Sequence, residues 1–375
     1  MLTVKDINRL ATETLLNMSK LETNLLVAIA ERFRLYESIG GSLEYKLKQL
    51  SRLGALDNKA IEFIAQSNNL TYKYVETAIS KAGIKAIDYS TYRKAFSLGA
   101  TATNIDNLLF TDVVSTLYNT VSEEIAVVYR EISKNVPRAY KQVLDTINLE
   151  TVTGVSDYDS SLRKALSELA DKGITAMTYE RTITDGNGNK IKIPVEYGIE
   201  GVARRTIVSA IVRSGNAHNE KIAEELKAEW YATSQHMGAR NKGFGHVNHE
   251  SWQGKHFQIA NNEFERMTGD GLVDGLGGVN CRHIKFAYFP DISPEHVKTI
   301  DADENAEAYA LEQKQRGYER QVRKAKKQLA MAKGLGDNEF IEVSEKLLKK
   351  RQKKIRQFVN ENEWLKRDYV RERIQ

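Results

Sequence analysis

A chain of 375 residues, 41% hydrophobic and 28% charged, can bury a sizeable core, and its length suggests two or three domains. No run approaches the roughly 18 to 20 unbroken apolar residues of a membrane-spanning helix. The N-terminus lacks the basic start and apolar core of a secretory signal, and the single cysteine, Cys281, excludes an intramolecular disulfide, so a soluble, non-exported chain in a reducing compartment is expected.

The net charge of +5 is unevenly spread. From Lys314 onward 19 Lys+Arg stand against 9 Asp+Glu, a net of +10, which leaves −5 for the remainder. A basic tail on a mildly acidic body points to an anionic partner, either nucleic acid or an acidic protein surface, or to a solvated helical face.

In chain order, residues 1–175 read as helical. Proline is absent before Pro137, and Met18, Leu21, Leu25, Ile29, Phe33 and Tyr36 recur at steps of three and four on one helical face, with Gly40-Gly41 ending the run. Ser67-Asn68-Asn69 and Gly99-Ala100-Thr101 are read as breaks, with Asp57 and Thr71 as N-caps. From Met177 to Ile183 strand formers alternate, the turn signal Asp185–Asn189 follows, and then Ile191–Val195, which predicts a β-hairpin with Pro194 on an edge strand. Val208, Ile211, Gly215, Ile222 and Leu226 predict an amphipathic helix ending near Trp230. Nine glycines from Gly238 to Gly278 then indicate tight turns, and Ile284–Phe289 reads as a strand. Tyr318, Val322, Ala325, Leu329 and Ala332, then Ile341, Leu348 and Ile355, predict an αα-hairpin broken at Gly334–Asp337. The fold class expected is α+β: a mainly helical region 1–175, a small glycine-rich α+β module 176–300, and a basic helical tail 301–375.

The histidines cluster between His218 and His296, close to Cys281. Imidazoles and a thiolate are zinc ligands, and His249, Cys281 and His283 with His236 or His246 would make four. Against this, the spacing matches no standard zinc pattern. A nucleophilic reading takes Cys281 activated by His249 or His283, oriented by Glu250; both would fit a metal-dependent hydrolase or a nuclease-like effector. The preferred reading is structural: Arg240, Trp252, Gly254, Asn280 and Arg282 hold a glycine-rich loop on a small sheet that lacks a large apolar core. No catalytic residue and no cofactor is assigned, with zinc the one candidate. No phosphate loop or dinucleotide fingerprint appears. In the tail, Lys349, Lys350, Arg351, Lys353 and Lys354 are the candidate contacts to nucleic acid or an acidic partner.

Three strings carry a resemblance: Ser234-x-His236-x-Gly238-Ala239-Arg240, His249-x-x-Trp252-Gln253-Gly254-Lys255, and Gly278-x-Asn280-Cys281-Arg282-His283, followed by the aromatic and proline run Phe286–Pro290. They resemble the phage minor capsid protein 2 family, which is similar to the minor head proteins of the Mu F type. Gln315-Arg316-x-x-Glu319-Arg320 and Leu365–Arg373 also look like the family's tail. Asn241–Gly245 departs from it, standing where a proline-containing loop is expected. The resemblance implies a low-copy structural protein of the virion head, made in the host cytoplasm. Its implied partners are the portal or major capsid protein and packaged DNA, with no membrane segment and no enzymatic activity.

Overall fold

The computed structural model describes residues 2–54, 58–97, 111–184, 190–293 and 300–374. The described chain is mostly helical, with two small antiparallel sheets. The helices are α1 (Val4–Phe33), α2 (Leu43–Leu53), α3 (Asn58–Ala86), α4 (Tyr89–Ser97), α5 (Thr111–Val152), α6 (Tyr158–Lys172), α7 (Ile199–Glu225), α8 (Glu263–Thr268), α9 (Ala302–Leu335) and α10 (Asn338–Asn360). The strands are β1 (Thr175–Thr184), β2 (Lys190–Gly198), β3 (Trp230–Thr233), β4 (His256–Gln258) and β5 (Lys285–Tyr288). None of the described helices is long and apolar enough to cross a membrane. The segments gather into two compact units, Met1–Thr14 with Tyr72–Glu124 and Arg204–Lys314, and Leu15–Thr71 with Ile125–Ala203 and Gln315–Gln375.

In the second unit the polar stretch read as a helix break is not one. α3 runs through Ser67-Asn68-Asn69, and Thr71 lies inside it rather than capping a helix. The hydroxyls of Ser67 and Thr71 each sit 2.8 Å from Tyr129 OH, and Asn17 Nδ2 donates to Ser67 O at 2.8 Å and to Thr71 Oγ1 at 2.9 Å. These side chains serve a buried hydrogen-bond cluster between helices, so their polarity does not signal a loop. Pro137 likewise lies within α5 and does not end it. Asp57, Gly99–Thr101 and the hairpin turn Asp185–Asn189 fall outside the described residues. β1 and β2 do pair antiparallel, with Glu180 opposite Pro194.

The tail enters this unit by charge as well as by apolar packing. Lys327 Nζ lies 2.5 Å from Glu22 Oε2 and 2.7 Å from Glu200 Oε1, and Arg323 Nε donates to Glu200 Oε2 at 2.7 Å. Arg163 Nε reaches Asp337, the N-cap of α10, at 2.6 Å, and Arg367 Nε reaches Glu372 at 2.6 Å. Part of the anionic surface expected for the tail is therefore in the same chain. α9 and α10 pack on each other through Tyr318 and Phe358, whose ring centroids are 5.1 Å apart, with Gly336 at φ 80° joining the two helices.

Burial alone would raise the Glu200 carboxyl, but Lys327 and Arg323 outweigh it and hold it at about 2, below the ordinary 4.5. A depressed acid stabilises the fold above its unfolded value, and the contribution is lost as pH falls through the folded one. Stability should therefore decline between pH 4.5 and about 2, by up to about 3 kcal/mol from this group. Glu200→Gln is expected to lower stability at pH 7 and to flatten this limb in denaturant titrations at stepped pH.

In the first unit, α7 ends at Glu225, Lys227 takes a left-handed φ of 52°, and Trp230 opens β3 instead of closing the helix. The sheet order is β4-β3-β5, all antiparallel, with Tyr231 opposite Phe257 on one side and Ala287 on the other. The sheet does have an apolar core behind it, against expectation. Ile87, Tyr92 and Ala95 of the α3–α4 region and Ile222, Ala223 and Leu226 of the α7 region pack with Tyr231, Trp252, Phe264, Leu276 and Cys281. This core joins residues more than a hundred positions apart, which local periodicity does not reveal.

Candidate functional site

The glycine-rich strings of the first unit fold onto one another beside the three-stranded sheet. Ser234 pins the first string to the third: its N–H donates to Ile284 O at 2.8 Å and its Oγ accepts from Ile284 N at 2.9 Å. Gln253 ties all three, because its Oε1 accepts the His236 N–H at 3.0 Å and lies 3.1 Å from His283 Nε2. Arg240 donates to two carbonyls of the following loop, Asp274 O at 3.1 Å and Val279 O at 3.0 Å. A guanidinium suits this task, since its planar fork reaches two acceptors at once. Asn305, fully buried near the start of α9, pairs with both backbone groups of Ala239 and donates to the Glu250 carboxylate.

Trp252 is fully buried, and its Nε1–H donates to His246 O at 2.9 Å. Its ring lies 4.7 Å from His249 and 4.8 Å from His283, centroid to centroid. Backbone turns bring these groups together. Asn280 adopts φ 59°, and Cys281 to Ile284 is irregular chain before β5 begins. Cys281 and His283 thus lie ahead of the strand rather than on it. Cys281 Sγ and His283 Nδ1 are 3.6 Å apart, while Arg282 between them is only half-buried. Gly254, at φ 70°, leaves room for Gln235, whose Oε1 would stand 2.8 Å from an added Cβ. At Gly275 an added Cβ would fall 2.0 Å from Gly269 O, so the loop closes only with glycine there.

The donor atoms of His249, Cys281 and His283 lie within 4.8 Å of one another, and all three residues are buried. Hydrogen bonding fixes both tautomers. A carbonyl only accepts, so His249 Nε2, 3.0 Å from Asp274 O, carries the proton. Gln253 Oε1 already accepts a backbone N–H, so His283 Nε2 is also the donor. In both rings Nδ1 keeps the lone pair. Burial pulls His249 down to about 4, overcoming the opposing bond to Asp274, and pulls His283 well below 6.5; it pushes the Cys281 thiol up. Without a metal the group is two neutral imidazoles and an S–H.

The other candidates are placed differently. His236 stacks on His283 at 4.4 Å with Nδ1 3.0 Å from Met237 O, and His246 Nε2 pairs with Asp274 Oδ1 at 3.1 Å. Glu250 is engaged by Asn305 rather than by an imidazole. On α10, Lys349, Lys350, Lys353 and Lys354 are exposed, Lys354 with its ammonium 5.2 Å from the Tyr318 ring centroid, whereas Arg351 is half-buried and donates to Gln321 at 2.6 Å. Arg356, also exposed, extends this basic face and was not among the sequence candidates. Asn305 was missed too; a lone asparagine carries no sequence signal, and only its contacts reveal it.

Comparison with known proteins places these features in context. The family described as Phage minor capsid protein 2 matches residues 5–360. A structural protein of Lactococcus phage LL-H is 25% identical over 347 residues, covering 88% of each chain. A structural protein of Lactococcus phage mv4 is 35% identical over 106 residues, 28% of this chain and 86% of that one. No solved structure matches significantly.

Proposed function

The chain belongs to the phage minor capsid protein 2 family, and from that premise we propose a structural protein of the virion head, bound near the portal and acting in head morphogenesis and DNA packaging. Burial carries the reading. His249, Cys281 and His283 are 2%, 2% and 1% exposed, so the site's most reactive groups are shielded from a macromolecular substrate. The strings close on each other by backbone-directed bonds, as a scaffold requires. Residues 1–175 would contact portal or capsid protein, 176–300 form the rigid minor-head module, and 301–375 supply the basic tail. Mass spectrometry of purified particles, full and empty of DNA, should find the chain at low copy in both. Its absence from particles would overturn the reading.

The exposed basic face of α10 is proposed to meet packaged DNA. Replacing Lys349, Lys350, Lys353 and Arg356 together by glutamine is expected to weaken DNA binding of the purified chain at low salt. It should also flatten the salt dependence of log K by up to about 3.6, at roughly 0.9 per phosphate contact. Binding that is absent, or insensitive to salt and to these changes, would transfer the face to a protein partner such as the portal.

A further inference from the structure

We infer that His249, Cys281 and His283 form a zinc site, with His249 Nδ1, Cys281 Sγ and His283 Nδ1 as ligands. The three residues meet from two separate strings, and each imidazole is already in the tautomer a ligand through Nδ1 needs. Its Nε2–H is held by an oxygen, Asp274 O at 3.0 Å for His249 and Gln253 Oε1 at 3.1 Å for His283, and Nδ1 is left with its lone pair. Metal-bound histidines are held in this way by a carbonyl or carboxylate on the far nitrogen. Gln253 is itself fixed, since its Oε1 also accepts the His236 N–H at 3.0 Å.

The dimensions fit a small adjustment. Ligands at about 2.0 to 2.3 Å from a tetrahedral zinc lie roughly 3.5 Å from one another. One ring nitrogen of each histidine and the Cys281 Sγ lie within 4.8 Å of one another, and Cys281 Sγ and His283 Nδ1 are already 3.6 Å apart. Side-chain movement of about an ångström closes the set. One thiolate and two imidazoles suit zinc among the available divalent ions. Binding would release one proton, from the Cys281 thiol, while both histidines bind in their neutral form. Among the described residues the group has three donors, which leaves the fourth tetrahedral position to water or an external ligand. The ion would clamp the His249 string to the Cys281–His283 string at the point where Trp252 fills the core.

The test uses the full, tag-free chain purified from zinc-supplemented medium, analysed by elemental mass spectrometry. About one zinc per chain is expected. Chelation should lower the Tm by at least ~3 °C and zinc sulfate alone should restore it. Cobalt(II) loaded in place of zinc should give a sulfur-to-metal charge-transfer band, which Cys281→Ser abolishes. His283→Ala should lose the metal, and His256→Ala, which alters an imidazole outside the group, should keep it. The cobalt band and the wild-type zinc content read the site even if a variant folds poorly. Wild-type protein with less than about a tenth of an equivalent of zinc and no Tm response would overturn the inference, as would stoichiometric zinc in Cys281→Ser. Neither result bears on incorporation into particles, which is measured separately.

Discussion

Lys327→Met is expected to lower the stability of the unit that carries it by about 3 to 5 kcal/mol, the cost of leaving a buried charge without its partner. Lys327 and Glu22 are 5% and 2% exposed, and their charged atoms are 2.5 Å apart. Methionine matches the lysine stem in length, so packing changes little while Glu22 loses its cation and Glu200 is left with Arg323 alone. Ile174 N–H still donates to Glu22 Oε1 at 3.0 Å, but one neutral donor does not replace an ammonium ion. Adding Glu22→Gln to Lys327→Met should recover a substantial part of the loss, since the stranded charge is then removed. The readout is the denaturant midpoint of each single variant and of the double. A single-variant loss below about 1 kcal/mol, or a double variant no better than Lys327→Met, would show that the pair is not what joins the tail to α1 and α7.

This cluster also shows where sequence reading stops. Lys327 lies among many basic residues, and nothing in the string distinguishes it from Lys349, yet one is buried between two carboxylates and the other faces solvent. Charge counting found the excess; only tertiary placement shows which cations are already neutralised. Helix positions were legible wherever apolar spacing persisted, as along α1, because that period is set by backbone geometry. Thr71 was misread because an N-cap and a buried inter-helix hydroxyl use the same residue type. At the site, His249, Cys281 and His283 were legible as chemistry and as strings, but their convergence was not. It depends on the left-handed turn at Asn280 and on the close passage of Gly269 O by Gly275, where a Cβ would stand 2.0 Å from that oxygen, and neither has a periodic signature.

Trp252 allows the scaffold itself to be tested. Trp252→Ala is expected to cost about 3 to 5 kcal/mol, through lost transfer energy and the cavity left in a close-packed core. The removed ring touches two groups at once: it belongs to the apolar cluster behind the sheet and lies against the imidazoles of His249 and His283. Collapse of the surroundings into that space would pull those histidines off the oxygens that orient them, so the damage should extend beyond packing. Trp252→Phe separates the contributions. It keeps most of the apolar volume but removes the Nε1–H that meets His246 O at 2.9 Å, and it should cost roughly 1 to 3 kcal/mol. Near-ultraviolet dichroism and limited proteolysis across residues 234–284 would follow the module directly. Retention of the cleavage pattern and midpoint in Trp252→Ala would mean that the strings hold their arrangement without this ring. The backbone hydrogen bonds from Arg240, Gln253 and Asn305 would then have to be sufficient on their own.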